Sequence, residues 1–333
     1  MVKKLVSVIK YVLTLGLAGV LLYFAFRNVD FKEFWAKTAE VDYTWVVLSI
    51  VLSLLAYYAR SYRWNLLMRP LGFPNLNVHR TNLAVLVGYL ANLAFPRLGE
   101  ITRCGMMKRN DNVPVATSFG TVISERIMDM ITLIILILAT LILEYDNFMA
   151  LITDVFSGLG DVSGLAWKLG VVIVVGGIVG LVLIYILYQK VAKVKAFLDD
   201  LFRALLSLRE LESPGKFIAS TVVLWVTYYL MSYLIVFSVP ETAHLPLSTG
   251  IMLLVAGGMA LVIPVQGGIG TYHAFISSAL VLYSVEKTTG VFLATLLHTS
   301  QVVAIAVFGG IALLISLFIN KHKSESSGVE EDI

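Results

Sequence analysis

Apolar residues in this chain come in long runs, not at every third or fourth position. A helix needs about 20 apolar residues to cross hydrocarbon. Runs of about that length occupy 5–26, 43–59, 167–188, 217–239 and 290–319, and a sixth follows Pro114 and ends at Leu143. Two apolar pieces are shorter and are cut by proline and glycine. The first, 82–95, stops at Pro96. The second, 250–263, stops at Pro264-Val265-Gln266-Gly267-Gly268-Ile269-Gly270, and another short piece, 271–283, follows it. Such lengths suit half-helices or re-entrant segments. Residues 27–42 carry Phe31, Phe34 and Trp35 at helical spacing, as a short interfacial helix does, and 189–216 alternates basic and apolar positions like a helix lying on a membrane surface. Residues 144–165 read as an acidic loop, and 320–333 as a polar, disordered, cytoplasmic tail. The pattern predicts an all-α polytopic membrane protein with about six full transmembrane helices and two broken, re-entrant segments. It forms one transmembrane domain over 1–319, with halves at about 5–143 and 167–319.

Composition agrees with the pattern. Of 333 residues, 58% are hydrophobic and only 14% charged, too few charges to cover a soluble surface of this size. Lys and Arg concentrate in 60–80, 97–109, 190–216 and 321–323, alternating with poor segments, so the positive-inside rule places both termini in the cytoplasm. The first apolar run is too long for a cleaved signal peptide. A single cysteine, Cys104, excludes an internal disulfide, and the five histidines show no ligand spacing, so no metal and no cofactor is expected.

The two broken segments match at an offset of 168 residues: Pro96-Arg97-Leu98-Gly99 falls on Pro264-Val265-Gln266-Gly267. Each break follows two full spans and precedes one. Three full spans per half is an odd number, so the halves are expected to be inverted relative to each other. Interrupted segments at matching positions point to a transporter site near the midplane. Charges cluster near the first break: Arg97, Glu100 and Arg103 just after it, then Glu125, Arg126 and Asp129 in the next span. Charge at that depth costs about 2.5–3.5 kcal/mol per residue and needs partners or water. Arg97, Arg103 and Arg126 suit a lipid phosphate, because a guanidinium fork binds phosphate bidentately and stays charged. Glu100, Glu125 and Asp129 then position the arginines or couple to protons. The same cluster also fits an ion-pair lock on the broken helix. Arg60 and Arg63 read as a cytoplasmic anchor of the second span, or as contacts to anionic head groups. At the second break, Pro264, Gln266, Gly267, Gly268, Gly270, Tyr272 and His273 are the candidates, with His273 a proton-responsive group; His244 and His298 read as incidental. No nucleophile elbow, P-loop or zinc-protease motif occurs, so the chain is not expected to be an enzyme.

Three motifs together resemble a known family. They are Asn92-x-x-x-Pro96-Arg97-x-Gly99-Glu100-x-x-Arg103, Ser124-Glu125-Arg126-x-x-Asp129, and Pro264-x-x-Gly267-Gly268-Ile269-Gly270. With them, residues of about 5–320 look like the lysylphosphatidylglycerol synthase transmembrane region, also called the flippase-like domain family. The full synthases carry a soluble aminoacyl-transferase domain after this region; here a short tail follows Ile319, so the resemblance implies the lipid-moving part without the synthase. It also implies a bacterial or archaeal cytoplasmic (inner) membrane location.

The expected function is a flippase-like lipid translocase. It moves a phospholipid or polyprenyl-phosphate head group across the cytoplasmic membrane, the tails staying in the bilayer. Its partners are lipids with anionic or phosphate-bearing head groups, and lipid-synthesis enzymes, not nucleic acid. The alternatives are a non-transporting scaffold or accessory subunit of envelope lipid synthesis and, behind it, a lipid-linked transferase.

Overall fold

The computed structural model describes residues 22–23, 26, 29–95, 97–157, 188–189, 191–263 and 265–330. Among these, regular structure is wholly helical. The helices are α1 (Phe31–Ala36), α2 (Tyr43–Met68), α3 (Val78–Ala94), α4 (Leu98–Asp111), α5 (Val115–Leu143), α6 (Tyr145–Ser157), α7 (Ala192–Leu206), α8 (Pro214–Leu234), α9 (Leu247–Val262), α10 (Thr271–Val281) and α11 (Lys287–Glu330). Four are long and apolar enough to cross a membrane: those over Tyr43–Leu71, Val115–Leu143, Pro214–Ser238 and Lys287–Phe318. Their outward residues are apolar, as on the lipid face of a membrane protein; Ile135, Ile142, Val222 and Phe318 are all exposed. The expected spans 5–26 and 167–188 lie almost wholly outside the described residues.

Local signals start the helices where the polar residues fall. Asp30 accepts the amides of Lys32 and Glu33, Asp42 that of Thr44, and Asn77 those of His79 and Arg80. Three segments depart from the sequence reading. The second span does not end at Ala59 but continues to Met68, because the charges that close a hydropathy window are satisfied inside the protein. Within the acidic loop, 145–157 is helix α6, which buries Phe148 and Leu151 one turn apart. Finally, α11 runs helical to Glu330, through most of the segment expected to be a disordered tail. Extending a formed helix adds a hydrogen bond per residue without a new nucleus, and Lys, Glu and Ser do not stop it.

Both breaks fold as helical hairpins. In the first, Phe95 is extended, as a residue before proline must be, and Arg97 takes the left-handed region at φ 65°. Helices α3 and α4 then pack against each other. Asn92 Oδ1 accepts the Gly99 amide at 2.6 Å, supplying a cap that Arg97 does not. The helices approach so closely that a Cβ on Gly88 would sit 2.9 Å from the Gly99 carbonyl oxygen. In the second hairpin, α9 and α10, the turn is made by Gly267, Gly268 and Gly270, all at positive φ.

The halves meet along α2 and α8, which run antiparallel. Ser49 Oγ donates to the Met231 carbonyl at 3.1 Å, Arg60 Nη2 to the Tyr228 hydroxyl at 3.3 Å, and the Arg63 guanidinium lies 6.0 Å from the Phe217 ring. The 168-residue offset maps Arg60 onto Tyr228 itself. It also exchanges the other two contacts, carrying Ser49 to Phe217 and Arg63 to Met231. Each hairpin also touches the long helix of the opposite half. A Cβ on Gly309 of α11 would meet Leu90 of α3 at 2.8 Å, and one on Gly258 of α9 would meet Leu133 of α5 at 2.8 Å.

Candidate functional site

Arg60 and Arg63 lie three residues apart and Glu125 and Asp129 four, so each pair shares one helical face. The fold turns these faces toward each other. Arg60 pairs with Glu125 at 2.5 Å and with Asp129 at 3.0 Å; Arg63 pairs with Asp129 at 2.6 Å. Helix α4 adds Arg103, whose Nη1 reaches Glu125 Oε2 at 3.2 Å. The Arg103 guanidinium also lies over the Trp64 ring at 4.5 Å, and the Trp64 indole donates to Thr121. At the rim, Arg126 pairs with Glu100 at 2.9 Å and more loosely with Asp129 at 3.8 Å. Arg63 and Glu125 are fully buried, and Arg60 and Arg103 are each 4% exposed. Arg126 is the most solvent-accessible member, with 39% of its side chain exposed.

These ion pairs all lie in α2, α4 and α5, within the first half. Among the described residues, the second half contributes neutral contacts: the Tyr228 hydroxyl to Arg60, Thr221 Oγ1 to Arg63 at 3.5 Å, and the Phe217 ring. The network leaves hydrogen-bonding capacity unused. Arg103 Nη2, the Nε atoms of Arg60, Arg63 and Arg126, and Glu100 Oε2 are buried without a partner among the described residues. A buried guanidinium with spare N–H groups is costly alone and well suited to an oxyanion.

The sequence reading therefore needs two corrections. Arg60 and Arg63 are not membrane-surface anchors; they are the central cations of the cluster. The signal was present as Arg60-x-x-Arg63 facing Glu125-x-x-x-Asp129, but an arginine ending an apolar run looks the same whether it faces head groups or a partner helix. Conversely, Arg97 is not brought into the cluster. It sits exposed at the tip of the first hairpin and forms no ion pair among the described residues.

The second break, 264–270, carries no Asp, Glu, Lys or Arg in its own sequence. His298, which the sequence reading set aside, donates from Nε2 to the Gly267 carbonyl at 2.7 Å and so ties α11 to the turn. His273 is buried 5.0 Å from His298, ring to ring, and its Nδ1 has no partner among the described residues. Tyr272 lies 5.5 Å from His298 and closes on Gly257, where a Cβ would meet the ring at 2.9 Å. Gln266 lies in the 3₁₀ turn Gln266–Gly268, and Pro264 lies outside the described residues. His244 belongs to neither site.

The profile of the lysylphosphatidylglycerol synthase TM region matches residues 9–309. The chain belongs to this family. The match spans both hairpins and every residue of the ion cluster. The chain is also similar to the Glycosyltransferase AglD of Haloferax volcanii, at 24% identity over 352 aligned residues, covering 95% of this chain and 54% of that protein. It thus spans about half the length of the curated relative it matches. No solved structure matches the chain.

Proposed function

We propose that this membrane protein is a lipid translocase whose ion cluster receives the phosphate of a lipid head group. The observation that carries the reading is Arg103: buried, aligned by Glu125 and Trp64, and left with a free Nη2. Arg60, Arg63 and Arg126 offer further N–H groups to the same anion, and Glu100, Glu125 and Asp129 hold the guanidinium planes in place. Arg97, exposed at the hairpin tip, meets the head group on entry. The tails stay in lipid along the apolar faces of α5 and α11.

Movement follows from where the strong contacts lie. Ion pairs bind α2, α4 and α5 into one body, whereas hydroxyl, aromatic and backbone contacts join that body to α8. One half can rock on the other without breaking an ion pair of the buried cluster. The exchanged α2–α8 contacts and the crossed hairpin packing support an inverted repeat with two re-entrant hairpins, an architecture that serves alternating access. The Lys- and Arg-rich loops, and with them both termini, face the cytoplasm, and transport runs down a lipid or ion gradient.

The test is reconstitution. Liposomes holding the purified protein and a trace of fluorescent phosphatidylglycerol should lose the inner-leaflet label to an external quencher faster than empty liposomes. Arg103→Gln should abolish this while leaving insertion and yield intact. No acceleration with any anionic lipid sinks the translocase reading. A second reading has one observation in its favour, the similarity to a protein named as a glycosyltransferase: the chain is then a membrane partner of a sugar-lipid transferase, and copurification with such an enzyme, without lipid movement, would favour it. Catalysis by this chain itself ranks below both.

A further inference from the structure

The charge of the cluster restricts which phosphate it can take. Glu100 and Arg126 pair with each other at 2.9 Å and cancel. That leaves Arg60, Arg63 and Arg103 facing Glu125 and Asp129, three cations on two carboxylates. Asp129 keeps 14% of its side chain exposed, and the other four side chains are at most 5% exposed, so water screens the surplus charge poorly. The surplus also has an address. Arg60 and Arg63 each use both carboxylates, whereas Arg103 has one carboxylate contact and an unused Nη2.

We infer that the cluster selects a lipid phosphodiester, which carries one negative charge, over a phosphomonoester, which carries about 1.5 to 2 near neutral pH. The inference rests on the head-group reading given above. One negative charge brings the buried cluster to neutrality. Two would replace an uncompensated cation with an uncompensated anion, at similar cost. No other charged side chain of α2, α4, α5 or α8 joins the cluster among the described residues.

Binding of short-chain phosphatidylglycerol and phosphatidic acid to the full chain in detergent tests this, at pH 8, above the second phosphate pKa of about 6. Phosphatidylglycerol should bind at least about tenfold more tightly. Glu100→Gln releases Arg126 and raises the surplus to two, so the ratio should fall by at least about tenfold toward phosphatidic acid. Arg126→Gln lowers the surplus to zero and should weaken phosphatidylglycerol. Both changes sit at the solvent-near rim, where folding tolerates them best. Arg103→Lys should keep more affinity than Arg103→Gln. Equal or tighter binding of phosphatidic acid to the unaltered protein overturns the inference, as does a ratio that Glu100→Gln leaves unmoved. Glycerophosphoglycerol, the same diester without tails, should compete poorly; if it competes as well as the lipid, the ligand is a soluble diester and the lipid assignment falls. Selective binding without lipid movement would remove the transport reading and leave charge selection standing. Lipid movement without selectivity would do the reverse.

Discussion

The two hairpins share a plan and differ in chemistry. Each is a short helix, a proline-led break and a second short helix, packed on its own half and against the long helix of the other. The α3–α4 hairpin turns on a strained arginine and stands beside a dense set of buried ion pairs. The α9–α10 hairpin turns on three glycines and stands beside two imidazoles and a tyrosine. Ionic networks are stiff because removing one member leaves others unpaired in a poor solvent. Glycine turns are compliant, because their backbone meets no Cβ penalty. The contrast teaches that two hairpins of one plan can differ in stiffness, one set beside a buried ionic network and the other turning on glycines.

The largest expected effect breaks the rigid half. Glu125→Ala leaves Arg60, Arg63 and Arg103 without their shared carboxylate and should destabilise the protein by about 3–5 kcal/mol, read as lost yield or a lowered unfolding midpoint in detergent. A comparable change at the other site, His298→Phe, removes one hydrogen bond to the Gly267 carbonyl. It should cost only about 0.5–1.5 kcal/mol while loosening the second turn, visible as faster amide exchange at 266–270.

Glycine substitutions sharpen the comparison. Gly88→Ala would press a methyl against the Gly99 carbonyl and the Arg103 Cβ, both held by backbone. Overpacking of that kind costs about 1–3 kcal/mol. In Gly257→Ala the methyl meets the far edge of the Tyr272 ring, which can turn away. Unfolding midpoints should therefore fall further for Gly88→Ala than for Gly257→Ala; the reverse order would contradict a stiff first hairpin.

The smallest effect concerns a tether between the halves. Lys37 is buried and pairs with Glu241 at 2.5 Å and Glu33 at 3.3 Å, linking α1's end to the turn Pro240–Thr242. Burial alone would lower the Lys37 pKa, but the two carboxylate hydrogen bonds outweigh it and hold it above its ordinary 10.5. The hydrogen bond from Lys37 holds Glu241 below its ordinary 4.5. Glu241 therefore adds stability above 4.5 that is lost as pH falls through its depressed value, and Lys37 adds stability below 10.5 that is lost as pH rises through its raised value. Lys37→Met should lower the midpoint slightly between about pH 5 and 10, the difference fading as pH falls below 4.5 through the depressed Glu241 value or rises above 10.5 through the raised Lys37 value.

Much of this could be read from the chain. Hydropathy located the four described spans because a bilayer admits only long apolar helices. The two breaks were legible because proline before glycine cannot continue a helix. Glu125, Arg126 and Asp129 were legible as a site because charge inside an apolar run has no cheap alternative. Helix α6 could have been found from Phe148, Leu151 and Ile152, which share a face, but the acids around them masked the pattern. The arginines at 60 and 63 could not be placed, since the residues that neutralise them lie about 65 positions away on another helix.

The sequence by itself determined that the protein is helical, that it is built for a membrane, and where its helices are interrupted, because these depend on local hydropathy and backbone sterics. Only the tertiary structure decided which charges meet. Pairing Arg60 and Arg63 with Glu125 and Asp129, leaving Arg97 outside, and tying His298 to the second turn all depend on how distant helices rotate against one another. That rotation is set by packing, such as the close approach of Gly88 to Gly99 and the antiparallel seam of α2 on α8, and no local run of residues encodes it.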